Sequence, residues 1–363
     1  MSAAPATLDL DDVEGLIAAD RDGLLRAASM AGAQIRAVAA ALTEGELDDL
    51  RSDQRPRTVT WVCGRGASGA PGAAGAVLAA ALGATSSIPL VVTPDVPPWI
   101  GALDVVVVAG DDAADPALVT AVATGVRRGA RVIVVAPNDG PLRDAAAGRA
   151  VVLPPRLSVP DDFGLTRYLA AGLATMMVVD PQLRIDLDAL ADELDAEALR
   201  NSAARELFTN PAKNLAERMS GRQVVLAGEG AAMLALVRHA ATVLLRVAHQ
   251  LVTATSGADA LVALHGGLGR QTVEMSYEDS LFHDSEIDGP VPARVRTVVL
   301  CADEERPGVI ARMDALGGYV DVLSADDVPD AGLQVPGSRL EQQIAMLAVR
   351  LEMTAVYLKL VRG

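Results

Sequence analysis

The segment Thr58–Leu82 most constrains what this chain can fold into. It reads TVTWVCGRGASGAPGAAGAVLAAAL: a run of β-branched and aromatic residues, a glycine-rich turn, and a stretch of Ala, Val and Leu. The first part is typical of a buried strand, and Pro71 suits the first turn of a helix. A strand, a glycine turn and a helix together open a βαβ unit. The free N–H groups at the start of such a helix favour an anion.

A second, weaker copy of this pattern begins at Gln223. The run QVVLAG leads into the turn Gly228–Gly230, with Glu229 at its tip, and an apolar helix is predicted over 231–251. Two strand–glycine–helix units in one chain predict two α/β domains of similar kind.

Short apolar runs alternate with helix-forming stretches on either side of these units. Predicted strands occupy 58–63, 88–92, 104–109, 131–135 and 150–153 in the first unit, and 223–228, 251–255, 295–301 and 319–323 in the second. Predicted helices of the first unit occupy 71–83, 116–128 and 140–147. Strands separated by helices imply parallel sheets covered on both faces. Such sheets bind ligands at the carboxyl ends of their strands, near the point where the strand order reverses.

The predicted fold is therefore α/β, with two parallel-sheet αβα domains of the flavodoxin-like type and helices at both termini. The predicted divisions are an N-terminal helical segment 1–57, a first domain 58–155, a helical connector 156–221, a second domain 222–337 and a C-terminal helix 338–363. Asp115 and Asn210, each followed by proline, are predicted helix caps. In the last helix Ser338 and Glu341 match a capping box, and apolar residues recur along one face.

Composition narrows the partners and the compartment. The 363 residues carry a net charge of −16, which disfavours nucleic acid and anionic membranes as partners. The acidic N-terminus does not resemble a signal peptide. Every apolar run that approaches the ~20 residues of a membrane-spanning helix is interrupted by Gly, Pro or a charged residue, so no spanning helix is predicted. Cys63 and Cys301 follow apolar runs and are predicted to be buried free thiols in a reducing cytoplasm. The abundant alanine is typical of a GC-rich bacterial genome. No cofactor and no metal are predicted.

Four motifs, in order along the chain, carry a family resemblance. They are DRDGLL at 20–25, the turn Gly64–Gly69, NPAK at 210–213 and MTAVYLKLVRG at 353–363. Together they resemble tandem sugar-isomerase (SIS) domain proteins, in particular the bifunctional phosphoglucose/phosphomannose isomerase branch. The turn is similar to that family's G-x-G-G-S-G/A loop, with Ala67 in place of a glycine. The resemblance implies two SIS-type domains, a homodimer, and aldose–ketose interconversion of hexose 6-phosphates.

The resemblance also implies a phosphate cradle and a carboxylate that moves a proton between C1 and C2, and here the sequence departs from the pattern. The family's S-x-S-G-x-T loop is replaced by AGDDAADP at 109–116, which brings in Asp111, Asp112 and Asp115. The family's N-H-N-E motif is replaced by ALHGG, which keeps His265 and lacks the glutamate. The family's closing D-P segment and late lysine are not matched. The sequence therefore predicts the fold and leaves open whether isomerisation occurs.

The candidate site residues come from the two glycine turns, the acidic loop and the histidines. The candidate ligand-binding residues are Gly64, Arg65, Gly66, Ser68, Gly69, Asp111 and Gly228, and the candidate catalytic residues are Glu229, His265 and His283. Ser68 and Arg65 suit a phosphate, and Glu229 could replace the missing base. Each has a structural alternative, such as a tight turn, a solvated acidic loop or a polar loop around His283.

Three functions follow from these patterns. The first is a sugar-phosphate binding protein, with or without weak isomerase activity. The second is a non-catalytic homologue that acts through protein contacts. The third is a nucleotide-binding α/β enzyme, because the turn Gly64–Gly69 is also a literal G-x-G-x-x-G and Asp95 follows the second predicted strand.

Overall fold

The computed structural model describes residues 8–64, 69–268, 295–314, 320–326 and 339–362. The strands of the described residues are β1 (Thr58–Val62), β2 (Leu90–Thr93), β3 (Asp104–Ala109), β4 (Arg131–Val135), β5 (Val151–Val152), β6 (Gln223–Gly228), β7 (Val252–Ser256), β8 (Val295–Leu300) and β9 (Val320–Leu323). The helices are α1 (Val13–Ala19), α2 (Leu24–Ala28), α3 (Ala31–Thr43), α4 (Ala70–Leu82), α5 (Pro116–Arg127), α6 (Gly140–Ala146), α7 (Leu165–Val179), α8 (Leu187–Arg200), α9 (Pro211–Met219), α10 (Gly230–Ala248), α11 (Gly257–His265), α12 (Arg306–Asp314) and α13 (Leu340–Arg362).

The first sheet is fully parallel, with strand order β2-β1-β3-β4-β5. Every residue of β3 is buried, because helices cover both faces of the sheet. The chain leaves β1 for β2 on one side and then crosses to β3 on the other side. The strand order therefore reverses at β1, and the carboxyl ends of β1 and β3 are where parallel sheets of this kind form their ligand-binding crevice.

The second sheet repeats this arrangement with four strands, in the order β7-β6-β8-β9. All its pairs are parallel, and Gly228 at the end of β6 lies opposite Leu300 of β8. The strand order reverses at β6 as it does at β1. The predicted α/β fold with two parallel sheets is confirmed.

One continuous core joins the two sheets. Helix α4 follows the first strand of its sheet, α10 follows the first strand of the other, and the two helices pack against each other. Helix α10 is the one described helix whose length and hydropathy would fit a membrane span, and 61% of that window is buried inside the protein. Hydrophobic packing crosses the predicted boundary between the two domains. The division of the chain into separate domains stays a prediction.

The C-terminal helix differs from its prediction. The sequence pattern indicates one apolar face, whereas α13 is buried on every side between α8, α9 and α10. Its polar residues Arg350, Glu352 and Thr354 are as buried as Leu351. Glu341 is described, but Ser338 of the predicted capping box lies outside the described residues.

The two cysteines and two of the predicted caps are confirmed. Cys63 and Cys301 are free and buried, and burial raises the pKa of the Cys301 thiol to about 12. The Asp115 carboxylate accepts a hydrogen bond from the N–H of Ala117 at the start of α5. The Asn210 side chain accepts one from the N–H of Lys213 at the start of α9.

Candidate functional site at the strand-order reversals

The first reversal point lies where β1 and β3 end side by side. Val62 of β1 is in register with Val108 of β3, and Gly64 follows with φ at 62°. This positive φ favours glycine. A Cβ at position 64 would also lie 2.6 Å from Oδ2 of Asp115, which leaves no room for a side chain. Of the predicted turn, Arg65, Gly66 and Ser68 lie outside the described residues.

The turn leads into the N-terminus of α4. Gly69 is the N-cap residue and supplies no side-chain hydrogen bond, and Pro71 lies in the first turn as predicted. The first N–H groups of α4 therefore receive no side-chain cap from Gly69. Such a position favours an anionic group.

The acidic loop after β3 is tied down by local bonds. Oδ1 of Asp112 accepts a hydrogen bond of 2.8 Å from the N–H of Ala114, and Asp115 caps α5. These two residues follow the structural alternative given for them.

Asp111 belongs to a half-buried ion network at the same edge. Its Oδ1 accepts hydrogen bonds from Nη2 of Arg167 at 2.8 Å and from the Tyr168 hydroxyl at 2.5 Å. The Arg167 guanidinium also lies over the Tyr168 ring, 4.1 Å from its centroid. Burial raises the pKa of the Asp111 carboxyl, and the Tyr168 hydrogen bond opposes that rise. The negative charge that Asp111 brings to this edge is thus partly offset by Arg167.

Sequence reasoning missed Arg167 and Tyr168. Both lie in the first turn of α7, 56 and 57 residues after Asp111 in the chain. No motif surrounds them, and the one signal in the sequence is an Arg-Tyr pair at the start of an otherwise apolar helix. Arg167 also lines a small cleft at the ends of β4 and β5, beside Gln34.

The second reversal point holds Glu229. Its N–H donates to the carbonyl of Leu300, and its Oε1 accepts a 2.8 Å bond from Nη2 of Arg312 in α12. A Cβ at position 257 would lie 2.3 Å from Oε2 of Glu229, so Gly257 makes room for this carboxylate. Glu229 is therefore at a strand-order reversal, as a site residue would be, and it is already ion-paired.

Gly228 has a packing reason to be glycine. A Cβ at this position would lie 2.4 Å from the backbone of Met233 and Leu234 in α10. The glycine lets α10 approach β6 closely. Its predicted role in ligand binding stays a prediction.

The candidate histidines are not brought together with Glu229 in the described residues. His265 is the exposed last residue of α11, and α11 begins at Gly257 beside Glu229. Eight residues of helix span about 12 Å, which separates the two side chains along the axis. His283 lies outside the described residues. Among the described ranges, no group of three His, Cys, Asp or Glu side chains is arranged to hold a metal ion.

The residues that carry the family resemblance have structural partners. Nζ of Lys213, from NPAK, donates to the carbonyls of Ala203 at 2.8 Å and Arg205 at 2.7 Å. The same Nζ lies 5.7 Å from the centroid of the Tyr357 ring, which belongs to the C-terminal motif. The Tyr357 hydroxyl donates a 2.6 Å hydrogen bond to the carbonyl of Asn201. These motifs therefore join α9 and α13 to the end of α8.

Comparison with known proteins rests on structure. No protein-family model and no curated protein matches this sequence. A glucose-6-phosphate isomerase like protein from Thermus thermophilus is 20% identical, with a TM-score of 0.55 over 98% of this chain and 96% of that one. Tagatose-6-phosphate ketose/aldose isomerase from Escherichia coli is 15% identical, with a TM-score of 0.54 over 99% of this chain and 94% of that one. The chain has the fold of the phosphosugar isomerases.

A further neighbour with this fold is a hypothetical protein, also from Thermus thermophilus. It is 12% identical, with a TM-score of 0.64 over 97% of this chain and 89% of that one. Identities this low show a shared fold. The phosphosugar-isomerase fold agrees with the predicted family at its coarser level, and the tandem bifunctional branch stays a prediction.

Proposed function

We propose that this protein binds a hexose 6-phosphate, or a closely related sugar phosphate, at the carboxyl edge of the first sheet. The observation that carries the proposal is where the first strand of this sheet ends and α4 begins. Gly64 and the N-terminus of α4 lie at the strand-order reversal of a fold that this chain shares with isomerases of phosphorylated sugars.

Three kinds of group would hold the phosphate. The first N–H groups of α4 would donate to its oxygens, as helix N-termini do for phosphates. Arg167 would supply the positive charge, since its guanidinium lies at this edge bonded to Asp111. Arg65 and Ser68 of the turn are predicted to add a guanidinium and a hydroxyl.

Isomerase activity is the finer form of this proposal. Aldose–ketose exchange needs a base beside C1 and C2 of the sugar. Glu229, the candidate base from the sequence, lies at the reversal point of the second sheet, so this form requires the sugar to reach that point and Arg312 to release the carboxylate. Proton exchange at C2 of glucose 6-phosphate in D₂O, followed by NMR, tests this form, and Glu229→Gln should abolish any turnover.

The binding proposal is tested by thermal shift and calorimetry. The ligands are glucose 6-phosphate, mannose 6-phosphate and fructose 6-phosphate, with unphosphorylated glucose as the reference. A ligand at 100 times its Kd stabilises the folded state by about 2.7 kcal/mol. Ser68→Trp should remove the shift, whereas Ser52→Trp, in an exposed loop, should keep it. Failure of every sugar phosphate to bind would refute the proposal.

A second candidate is a non-catalytic homologue that acts through protein contacts, including a homodimer. The observation that favours it is the ion pair that engages Glu229, together with exposed apolar side chains such as Phe208 and Leu251, which are 76% and 77% exposed. Light scattering behind size exclusion would measure the dimer, and Phe208→Ser with Leu251→Ser would test these side chains.

Calorimetry with NAD and ATP tests the nucleotide alternative, for which the exposed Asp95 would be the ribose partner.

A further inference from the structure

We infer that Asp111 is an internal counterion for Arg167 and sets how strongly the edge of the first sheet binds a phosphate. The inference rests on the proposed function, because it assigns the residue that controls anion affinity at the same site. It makes Asp111 a specificity-determining residue, with Arg167 as the group that the ligand must share or take over.

The geometry fixes the carboxylate on the guanidinium. One oxygen of Asp111 receives both the Arg167 Nη2 bond and the Tyr168 hydroxyl bond, and both donors lie on the rigid first turn of α7. The Arg167 side chain is 14% exposed and the Asp111 side chain 22% exposed. The pair is therefore largely shielded from water, and solvent screening is weaker there than on an open surface.

Arg167 also has hydrogen-bonding capacity that the pair does not use. Its Nη1 is buried and has no hydrogen-bond partner among the described residues. A guanidinium presents its donors in a planar fork that matches a phosphate or a carboxylate with two parallel bonds. In this structure the guanidinium donates through Nη2, to Oδ1 of Asp111 at 2.8 Å and to the Tyr168 hydroxyl at 2.6 Å, whereas Nη1 donates to neither.

The surrounding charges make Asp111 the controlling group. Asp161 and Arg246 act on Asp111 through space, and Nε of Arg246 forms an ion pair of 2.9 Å with Asp162. This network holds three carboxylates, Asp111 included, and two guanidinium groups, so it carries one excess negative charge. Removing the charge of Asp111 would balance the network and take the carboxylate away from Nη2 of Arg167, which would keep its 2.6 Å hydrogen bond to the Tyr168 hydroxyl. An incoming phosphate would then meet a guanidinium whose charge Asp111 no longer neutralises.

The test compares two isosteric variants of neighbouring residues. Asp111→Asn removes the counterion, whereas Asp112→Asn removes the same charge from the same loop without a contact to Arg167. Calorimetry at pH 7.5 measures the affinity for glucose 6-phosphate, with glucose as the phosphate-free reference. We expect Asp111→Asn to bind glucose 6-phosphate about ten-fold more tightly than the wild type, and Asp112→Asn to change the affinity by less than about three-fold. Arg167→Gln should weaken binding about ten-fold or more.

The outcomes separate this inference from the proposed function. Equal affinities of Asp111→Asn and Asp112→Asn, with a wild type that binds, would overturn the inference and leave the proposed function intact. Absence of binding in the wild type and in every variant would overturn both. A gain in Asp111→Asn that vanishes in the double variant with Arg167→Gln would support the inference. If Asp111→Asn does not fold, Asp111→Ser repeats the comparison with a smaller neutral side chain.

Discussion

At the scale of single residues, the most constrained charges are those that the fold has buried away from the sheet edges. Nε2 of His239 in α10 lies 3.2 Å from Oε1 of Glu352 in α13, and the two side chains are 3% and 2% exposed. Asp162, which precedes α7, acts on both through space. Burial raises the pKa of Glu352, and the contact with His239 opposes that rise. The pair joins the helix of the second reversal point to the C-terminal helix.

We predict that Glu352 makes stability fall with rising pH. A carboxyl with a raised pKa in the folded state holds its proton more tightly there than in the unfolded chain. It therefore contributes stability below its ordinary pKa of 4.5, and that contribution is lost as the pH rises through the raised value. Denaturant unfolding at a series of pH values should show the advantage of the wild type over Glu352→Gln shrinking across that range. The exposed Glu217→Gln variant is the control for loss of a charge. An advantage that grows with pH would contradict the prediction.

At the scale of helices and strands, the sequence predicts the elements well and their long-range partners poorly. The β-branched runs locate β1, β3 and β4 to within one residue, because the preference of these residues for a buried pleated strand is local. The caps at Asp115 and Asn210 are equally local. The partners of Asp111, by contrast, are more than 50 residues away in the chain, and no spacing rule connects them.

The C-terminal helix shows the same limit at larger separation. Arg350 of α13 donates to Glu197 of α8 at 2.8 Å, across 153 residues of sequence. A periodicity argument assigns such charges to the solvent side of a helix. Once they are paired and hydrogen-bonded, the whole circumference of the helix can be buried.

The elements are also held by one buried amine. The chain has two lysines, and Lys213 on α9 is buried with its pKa lowered by burial, whereas Lys359 on α13 forms an exposed ion pair with Asp22. We predict that Lys213→Met lowers the free energy of unfolding by about 2–3 kcal/mol, because it leaves the carbonyls of Ala203 and Arg205 without their donor. Lys359→Met should change it by less than about 1 kcal/mol.

Urea unfolding of the two lysine variants measures these changes. Acylation of surface amines on the native protein is an independent check, since Lys359 should react quickly and Lys213 slowly. Equal destabilisation by the two substitutions, or equal labelling of the two lysines, would show that Lys213 does not anchor α9.

At the scale of the whole molecule, one hydrophobic core serves both sheets. The same cluster of buried residues includes Leu78 of α4, Leu236 of α10 and Leu351 of α13. A separate cluster, with Leu118 of α5, covers the outer face of the first sheet. The sequence predicts two domains because each sheet repeats the same pattern. The structure joins them because the two helices at the reversal points pack against each other.

The shared core predicts a single cooperative unfolding transition. If the halves shared little packing, each would melt at its own temperature. Here the α4–α10 contact lies inside the core, so melting one sheet would expose apolar surface of the other. Leu236→Ala in the shared core and Leu118→Ala in the outer cluster should each lower stability by about 2–5 kcal/mol and shift the same calorimetric peak without splitting it. Two resolved peaks, of which Leu118→Ala moves only one, would show instead that the two sheets fold as independent domains.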